Sequence, residues 1–466
     1  MEGSDPEKKG SSVDAHGVDT EAGTITVPAG KVDAALEFLQ TENTALMSEL
    51  DEKNLVRKID FMIMPLMWLC YNLQYLDKVL INYASVMGLL SDTNMRTDQF
   101  SNLALAFYIT YLFFEFPTGY LMQRLPTAKY LGVNEQPRRM GYWYLGTGTA
   151  TIMGALVAYG LLFYTGDKFR SWQIMFLIFG LVTITVGICV FIFLPDNPMT
   201  SRLSHDEKIW AIERLRENKT GIENKHFKRD QFLEVWKDPQ TYLIIVIVAA
   251  SNIPNAAISS FSSLIIKGFG FTTKQTELLS IPSGAVSVIG ILTGTYLSGR
   301  FNQRCLCAIG ILLCGLLGGC LMAFSRDDMR AAKLAGNYLT NFVGASLPIM
   351  YSIAGANTAG HTKKVTMNAV VLMAFCLGNI LGPLTFRTQD EPDYIPAKIA
   401  IVATVAVAIV FLVLLKLYYM WENKRRDENK IGLEHQENSE FLNLTDKQNK
   451  EFRVSLACLS MMKTDY

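Results

Sequence analysis

The sequence predicts an all-α polytopic membrane protein with about ten transmembrane helices, four before a long charged loop and six after it. Three observations carry this. Half of the 466 residues are hydrophobic and only 18% are charged. The apolar residues fall in continuous blocks, each close to the ~20 residues a helix needs to cross ~30 Å of hydrocarbon. Lys and Arg collect at alternate ends of successive blocks. Continuous blocks imply helices rather than barrel strands, because each span must satisfy its own backbone polar groups.

Residues 1–56 read as a cytosolic N-terminal tail, Gly/Ser/Asp/Glu-rich to about Gly30 and too poor in apolar residues to bury a core. Val32–Leu50 is a weakly ordered approach to the membrane or a short amphipathic helix. The first bundle, 57–194, places spans at Phe61–Leu80, Ser101–Met122, Tyr142–Tyr164 and Trp172–Leu194. The cytosolic inter-bundle loop, 195–240, sets Leu203, Ile209, Ile212 and Leu215 at near-helical spacing among charges, the pattern of a surface helix. The second bundle, 241–420, places spans at Thr241–Ile265, Gln275–Ser298, Cys305–Phe324, Ala331–Ala356, Met367–Phe386 and Pro396–Met420. A charged cytosolic tail, 421–466, follows.

Charge distribution orients the chain. One set of segments carries Arg57 and Lys58; Arg124, Lys129, Arg138 and Arg139; nine Lys/Arg in the inter-bundle loop; Arg300 and Arg304; Lys363 and Lys364; and Lys424, Arg425 and Arg426. The alternate loops hold one or two each, such as Arg96 or Arg387. The positive-inside rule then puts both termini and the long loop in the cytosol. Two bundles around a basic loop is the pattern of carriers built from repeated halves.

Several function classes are excluded or disfavoured. Formal net charge is zero, so nothing draws the chain to nucleic acid. Cys70, Cys189, Cys314, Cys320 and Cys376 lie inside spans, where Cys behaves as a small hydrophobe. Cys305 and Cys307 form a lone pair with no second pair and no His nearby, which is not a metal site. No HExxH, GxSxG or Gly-rich phosphate loop points to an enzyme, and no cofactor is implied. The glycosylation triplets at Asn218 and Asn443 fall on the cytosolic side. No cleavable signal peptide precedes the first span.

Ionisable and polar groups inside spans are the functional candidates, because lipid makes them costly unless they pair or face water. Asp77 and Lys78 follow Gln74 near the outer end of the first span. They read either as a proton-coupling carboxylate beside a substrate cation, or as a structural pair reaching the interface. Glu115 lies deeper, in an otherwise apolar stretch, and is a candidate proton-coupling group; the alternative is a hydrogen bond to a neighbouring helix. In the first span after the loop, Asn252, Pro254, Asn255, Ser259 and Ser260 form a polar, kinked segment leading toward Lys267, able to coordinate a ureido or carboxylate group. Helix–helix hydrogen bonding is the bland reading of the same residues. Asn357, Thr358 and Asn379, the last flanked by Gly378 and Gly382, read as packing and gating elements, with Asn379 also counted in the substrate set. His361, Lys363 and Lys364 read as cytosolic anchors.

Eight strings in order carry a family resemblance: RKID (57–60), YLDK (75–78), FEFPTGYLMQRLP (114–126), IERLRENKTGIENKHFKRDQ (212–231), IIKGFGF (265–271), LLSIPSGA (278–285), NTAGHTKK (357–364) and FCLGNILGP (375–383). They resemble the fungal allantoate permease group, in the anion:cation symporter family of the major facilitator superfamily. The resemblance runs from about Val56 to Arg453. It implies a twelve-span carrier driven by protons, monomeric, in the plasma membrane, with a small organic anion as substrate. It also implies that Lys78 supplies the cation facing the substrate carboxylate.

Two departures stand out. The family has roughly forty-five more residues between Asn134 and Glu135, two spans of ~20 residues and a turn, including an Arg of its fourth span. The family's tail also ends soon after a string matching Asn449–Arg453, whereas here ACLSMMKTDY follows. Loss of two spans keeps the sidedness of everything downstream, so charge alternation is blind to it. The expected architecture is therefore four plus six helices instead of twelve. The expected function is proton-coupled uptake of allantoate or a related ureido or carboxylate compound, or else a non-transporting variant of such a permease.

Overall fold

The computed structural model describes residues 49–124, 143–166, 168–193, 203–204, 206–208, 210, 228–301, 303–326, 328–429 and 445–448. The described regular structure is helical throughout. In chain order the helices are α1 (Glu49–Ala84), α2 (Thr97–Arg124), α3 (Gly146–Leu161), α4 (Ser171–Phe193), α5 (Arg229–Lys237), α6 (Pro239–Gly268), α7 (Thr273–Phe301), α8 (Arg304–Phe324), α9 (Arg330–Thr340), α10 (Ser346–Asn357), α11 (His361–Leu381) and α12 (Ile395–Asn429). A 3-10 turn, Asn341–Ala345, joins α9 to α10, so the predicted span Ala331–Ala356 is one broken pass.

Six segments among the described residues are long and apolar enough to cross a membrane: Ser171–Ile192, Pro239–Gly268, Thr273–Ser298, Arg304–Phe324, Thr362–Thr385 and Ile395–Glu428. The other four predicted spans coincide with α1, α2, α3 and the α9–α10 pair, compatible with about ten passes. Three of them fall short for a local reason: α1 carries Asn72, Gln74, Asp77 and Lys78, α3 is 16 residues long, and α9 is interrupted. The predicted junction at Asn134–Glu135 lies outside the described residues, as do most of both tails.

The chain divides into two compact units. One takes in Met1–Ile59, Ala128–Gly132 and Pro195–Gly221. Within it Lys58 Nζ pairs with Glu207 at 2.7 Å, and Ser204 and Glu207 exchange a capping pair: Glu207 N donates to Ser204 Oγ and Ser204 N to Glu207 Oε2.

The other unit holds the membrane helices and two apolar cores. The first core, with Ile244, Ile247, Leu312, Met350, Val371 and Leu412, gathers α6, α8, α10, α11 and α12. The second joins Leu76, Tyr83, Ala155, Phe179, Phe261 and Ile401 from α1, α3, α4, α6 and α12. Lipid provides no hydrophobic drive between helices, so close approach through small residues does much of the packing. A Cβ on Gly148 (α3) would meet Gly284 O at 2.7 Å, and one on Gly284 (α7) would meet Gly148 O at 2.5 Å, so each glycine is what lets these backbones touch. Gly318 (α8) and Gly336 (α9) repeat the arrangement, each Cβ 2.7 Å from the other's carbonyl. By contrast α4 turns large apolar side chains outward on several faces, Phe191 and Ile192 among them.

At one end of the unit α2 is tied to the α11–α12 loop. Thr388 N donates to Asp98 Oδ1 (3.0 Å), Asp98 N to Thr388 Oγ1 (3.3 Å), and Ser101 Oγ to Phe386 O (3.1 Å). Thr97 adds a hydrogen bond to Glu391. Phe261 stacks on Phe386 at 4.1 Å and meets Phe100 edge-on. That end of the unit is closed.

Candidate functional site

A polar cavity lies inside this closed end. It is lined from α1 (Tyr75, Asn82, Tyr83), the start of α3 (Tyr144, Thr147, Thr151), α6 (Asn255, Ser259, Ser262), α7 (Ser280, Ser283, Ser287) and the α9–α10 break (Thr340, Asn341). The cavity volume is ≈ 40 Å³. Hydroxyls and amides dominate the lining, which Val79, Ile258 and Gly344 complete, with no Lys, Arg, Asp or Glu among them.

Local sequence explains why polar groups meet there. Pro254 inside α6 removes one helical N–H and so loosens the backbone hydrogen bonding of the segment carrying Asn252 and Asn255. Pro282 does the same in α7 beside Ser280 and Ser283. Asn252 Nδ2 returns to Val248 O at 2.7 Å and Asn379 Nδ2 to Phe375 O at 2.7 Å. Each anchored amide leaves its oxygen facing Asn255, whose Nδ2 donates to Asn252 Oδ1 and Asn379 Oδ1, both at 3.4 Å. Gly378 and Gly382 permit this by letting α11 approach α6: a Cβ on Gly382 would lie 2.6 Å from Ile253 O. Asn252, Asn255 and Asn379 therefore form one amide cluster, and of the three Asn255 reaches the cavity.

Lys78 is beside the cavity, one ring away from it. Its Nζ sits 5.1 Å from the ring centroids of both Tyr75, which lines the cavity, and Tyr108 of α2. No described carboxylate pairs with it. Asp77 faces elsewhere, accepting from Thr183 Oγ1 of α4 at 3.3 Å. Adjacent helical residues do not face each other, so the two are not the ion pair their adjacency allows. Gln74 is exposed on α1, and Lys267 is exposed in the last turn of α6, where a cation complements the helix C-terminus. Neither joins the cavity lining. Glu115 is on α2, but its side chain lies outside the described residues.

Sequence reasoning passed over Asn82, Tyr83 and Asn337. Asn82 Oδ1 accepts from Ser263 N at 2.9 Å, Tyr83 OH donates to Thr151 O at 2.9 Å, and Asn337 Nδ2 donates to Ser262 Oγ at 3.0 Å. Asn82 had a legible signal, a lone amide directly after the apolar run Val79–Ile81, four residues beyond Lys78 and three beyond Val79 on one face. Lys363 also differs from a simple anchor. It is fully buried, with Glu234 Oε1, Asp238 Oδ2 and Asp446 Oδ1 at 2.9, 3.0 and 2.7 Å. Asp446 brings a stretch of the C-terminal tail onto α5, α11 and α12, and Thr445 Oγ1 adds a hydrogen bond to Glu234 at 2.9 Å.

Comparison with known proteins agrees with this architecture. Residues 127–383 match the model of the Major Facilitator Superfamily. An uncharacterized transporter of Schizosaccharomyces pombe is 35% identical, over 94% of this chain and 96% of its own length. Allantoate permease of Saccharomyces cerevisiae is 31% identical over 93% of this chain and 92% of its own. The thiamine pathway transporter of the same yeast is 31% identical over 96% and 98%. The first of these alignments runs over 495 positions while taking in 94% of 466 residues, so that relative carries residues this chain lacks. In fold, a bacterial homologue of the human lysosomal transporter Spinster matches with a TM-score of 0.50 at 15% identity, covering 76% of this chain and 96% of its own. The chain belongs to the major facilitator superfamily and is a membrane transporter rather than an enzyme.

Proposed function

We propose that this chain is built as a proton-coupled importer of a small organic anion of the allantoate type, in the plasma membrane with both termini cytosolic, and that it works as a monomer. The observation that supports the reading is the pairing of an uncharged cavity rich in hydroxyls and amides with a lysine beside it that has no carboxylate partner among the described residues. Ureido groups need many neutral donors and acceptors, which Asn255, Asn341 and the serines of α7 offer. A carboxylate entering the membrane must replace its lost hydration with a cation, and Lys78 is placed to supply one. Tyr75 stands between them, and a rotation of its ring admits the carboxylate to Lys78 while the ureido end stays on the amides. Asn252 and Asn379 act through Asn255, holding its amide in register.

Alternating access follows from the closed non-cytosolic end. Release of the Asp98–Thr388 and Phe261–Phe386 contacts opens the cavity outward; substrate and proton binding shift the balance between the two states. Asp77, Glu115, Gln74 and Lys267 stand in this account as groups that meet proton or substrate in the states where the cavity is open.

The missing segment bears on activity. Leu103, Phe107, Ile109, Phe113 and Phe114 leave α2 exposed on several faces, supporting a first bundle that lacks neighbours. We therefore read the chain as inserting normally but carrying poorly until the segment is restored. Binding tests the site independently of turnover. Purified chain in detergent, titrated calorimetrically with allantoate, is expected to bind and Lys78→Ala to lose at least tenfold in affinity, about 1.4 kcal/mol. Equal affinity in the alanine variant refutes the role of Lys78, and absence of binding by both refutes the substrate class.

A further inference from the structure

Glu277 has no part in the site as described so far. It lies in the second turn of α7 and is fully buried. Neither carboxyl oxygen has a hydrogen-bond partner among the described residues, and no described Lys or Arg pairs with it. The titratable group facing it is Tyr83 of α1, which lies within its electrostatic reach and donates its own hydroxyl to Thr151 O. On α7 itself Lys274 is exposed and sits 4.2 Å over the Phe163 ring; on α6 Lys267 is exposed as well. The buried hydroxyls of neighbouring Thr276 and of Ser263 on α6 are also unpartnered. A carboxylate carried into such surroundings with neither cation nor donor would cost far more than a fold can offset, so the group sits there as the neutral acid.

We propose that Glu277 is a proton-binding group of the transport cycle, loaded from the non-cytosolic side of the cavity. Its position supports both halves of that statement. Ser280, one turn along the same face, and Tyr83 both line the cavity. The α6–α7 turn next to Glu277, residues 269–272, is on the non-cytosolic side by the charge alternation. When the cavity opens outward, water reaches the carboxylate and a proton from the outer medium forms an O–H bond on it. Closure around the neutral acid retains that proton. Opening to the cytosol rehydrates the group, the O–H bond breaks, and the proton leaves to water. The cycle needs no co-reactant, and with a monovalent anion it moves no net charge. This inference rests on the reading of the chain as a proton-driven carrier.

The test uses the full chain in lipid vesicles and infrared spectroscopy, which needs no turnover. Wild type at neutral pH is expected to show a carboxylic-acid C=O band that shifts in D₂O, vanishes reversibly in alkaline medium, and is absent from the isosteric Glu277→Gln. Glu277→Asp is expected to keep such a band at a shifted frequency, which separates loss of the group from loss of the fold. A spectrum identical in wild type and Glu277→Gln overturns the proposal, and so does a band that neither exchanges nor titrates, since that describes a structural acid. Binding of labelled allantoate to the same vesicles is followed in parallel, and no binding alongside an exchanging Glu277 band defeats the anion reading alone.

Discussion

Removing the Lys363 ammonium should be the most damaging single change at the end of the bundle where α5, α11 and α12 meet. Lys363 is fully buried against Asp238, Asp446 and Glu234, which are 1, 3 and 17% exposed in their side chains. Lys447 Nζ, 3.4 Å from Asp238, is the second cation nearby and is itself part-exposed. In Lys363→Met the side-chain volume is roughly kept, but three carboxylates lose their common partner. Breaking a buried pair in this way costs about 3–5 kcal/mol, far beyond the ~0–1 kcal/mol of an exposed pair. The carboxylates outnumber the cations, so Asp446→Asn should cost much less, and burial already pushes the Asp446 carboxyl above its usual range despite Lys363. The sign follows: the folded state holds that proton more tightly than the unfolded one. Burial of Asp446 therefore penalises stability as pH rises through its folded value, and the penalty is absent below the ordinary aspartate range. Thermal unfolding in detergent, with limited proteolysis after Glu428, reads both effects. The expected order of stability is wild type, then Asp446→Asn close behind, then Lys363→Met well below with its tail cleaved early. Equal losses in the two variants, or none in Lys363→Met, would refute the reasoning.

Two further outcomes follow from packing and from the closed outer end. Gly284→Leu should lose about 1–3 kcal/mol through collision with Gly148 O and Ile152, whereas Gly310→Leu, whose added Cβ meets nothing within 4 Å, should leave unfolding unchanged. At the outer end, the Thr388 N–H holds the Asp98 carboxyl below the usual carboxylate range. A depressed group contributes above its unfolded pKa and is lost as pH falls through its folded value. Hydrogen-exchange protection of the Thr388 amide should thus persist at neutral pH and fade only in strong acid; in Asp98→Asn it should be low at every pH. Protection that is unaltered in that variant would remove Asp98 from the closure.

How much of this was legible in the sequence depends on which physical rule each feature obeys. Hydrocarbon thickness acts locally, so the helix positions could be read along the chain, and the resemblance strings carried the superfamily. The amide cluster was half legible: Asn252, Asn255 and Asn379 stand out in apolar runs, but their convergence depends on Gly378 and Gly382 meeting α6. Asp77 and Lys78 show the limit of adjacency, since neighbours on a helix diverge and only Lys78 turns toward the tyrosines. Lys363 looked like an ordinary edge residue because its three carboxylates come from positions 234, 238 and 446, a juxtaposition no local pattern encodes. Glu277 was missed for the opposite reason. It sits among Thr, Lys and Gln near a helix start, where an acid is unremarkable, and only its burial makes it unusual.

The central claim is that the chain carries an intact second bundle and a working site, but a first bundle short of two spans. The direct measurement is uptake of radiolabelled allantoate by permease-deficient yeast producing either this chain or the same chain with roughly forty-five residues, two ~20-residue spans and a turn, restored between Asn134 and Glu135. Surface amounts of both are measured together. Both proteins are expected in the membrane, with little or no uptake by the chain as it stands and saturable, acid-stimulated uptake by the restored one. Saturable, pH-dependent uptake by the chain as it stands would contradict it and make this a functional ten-span carrier.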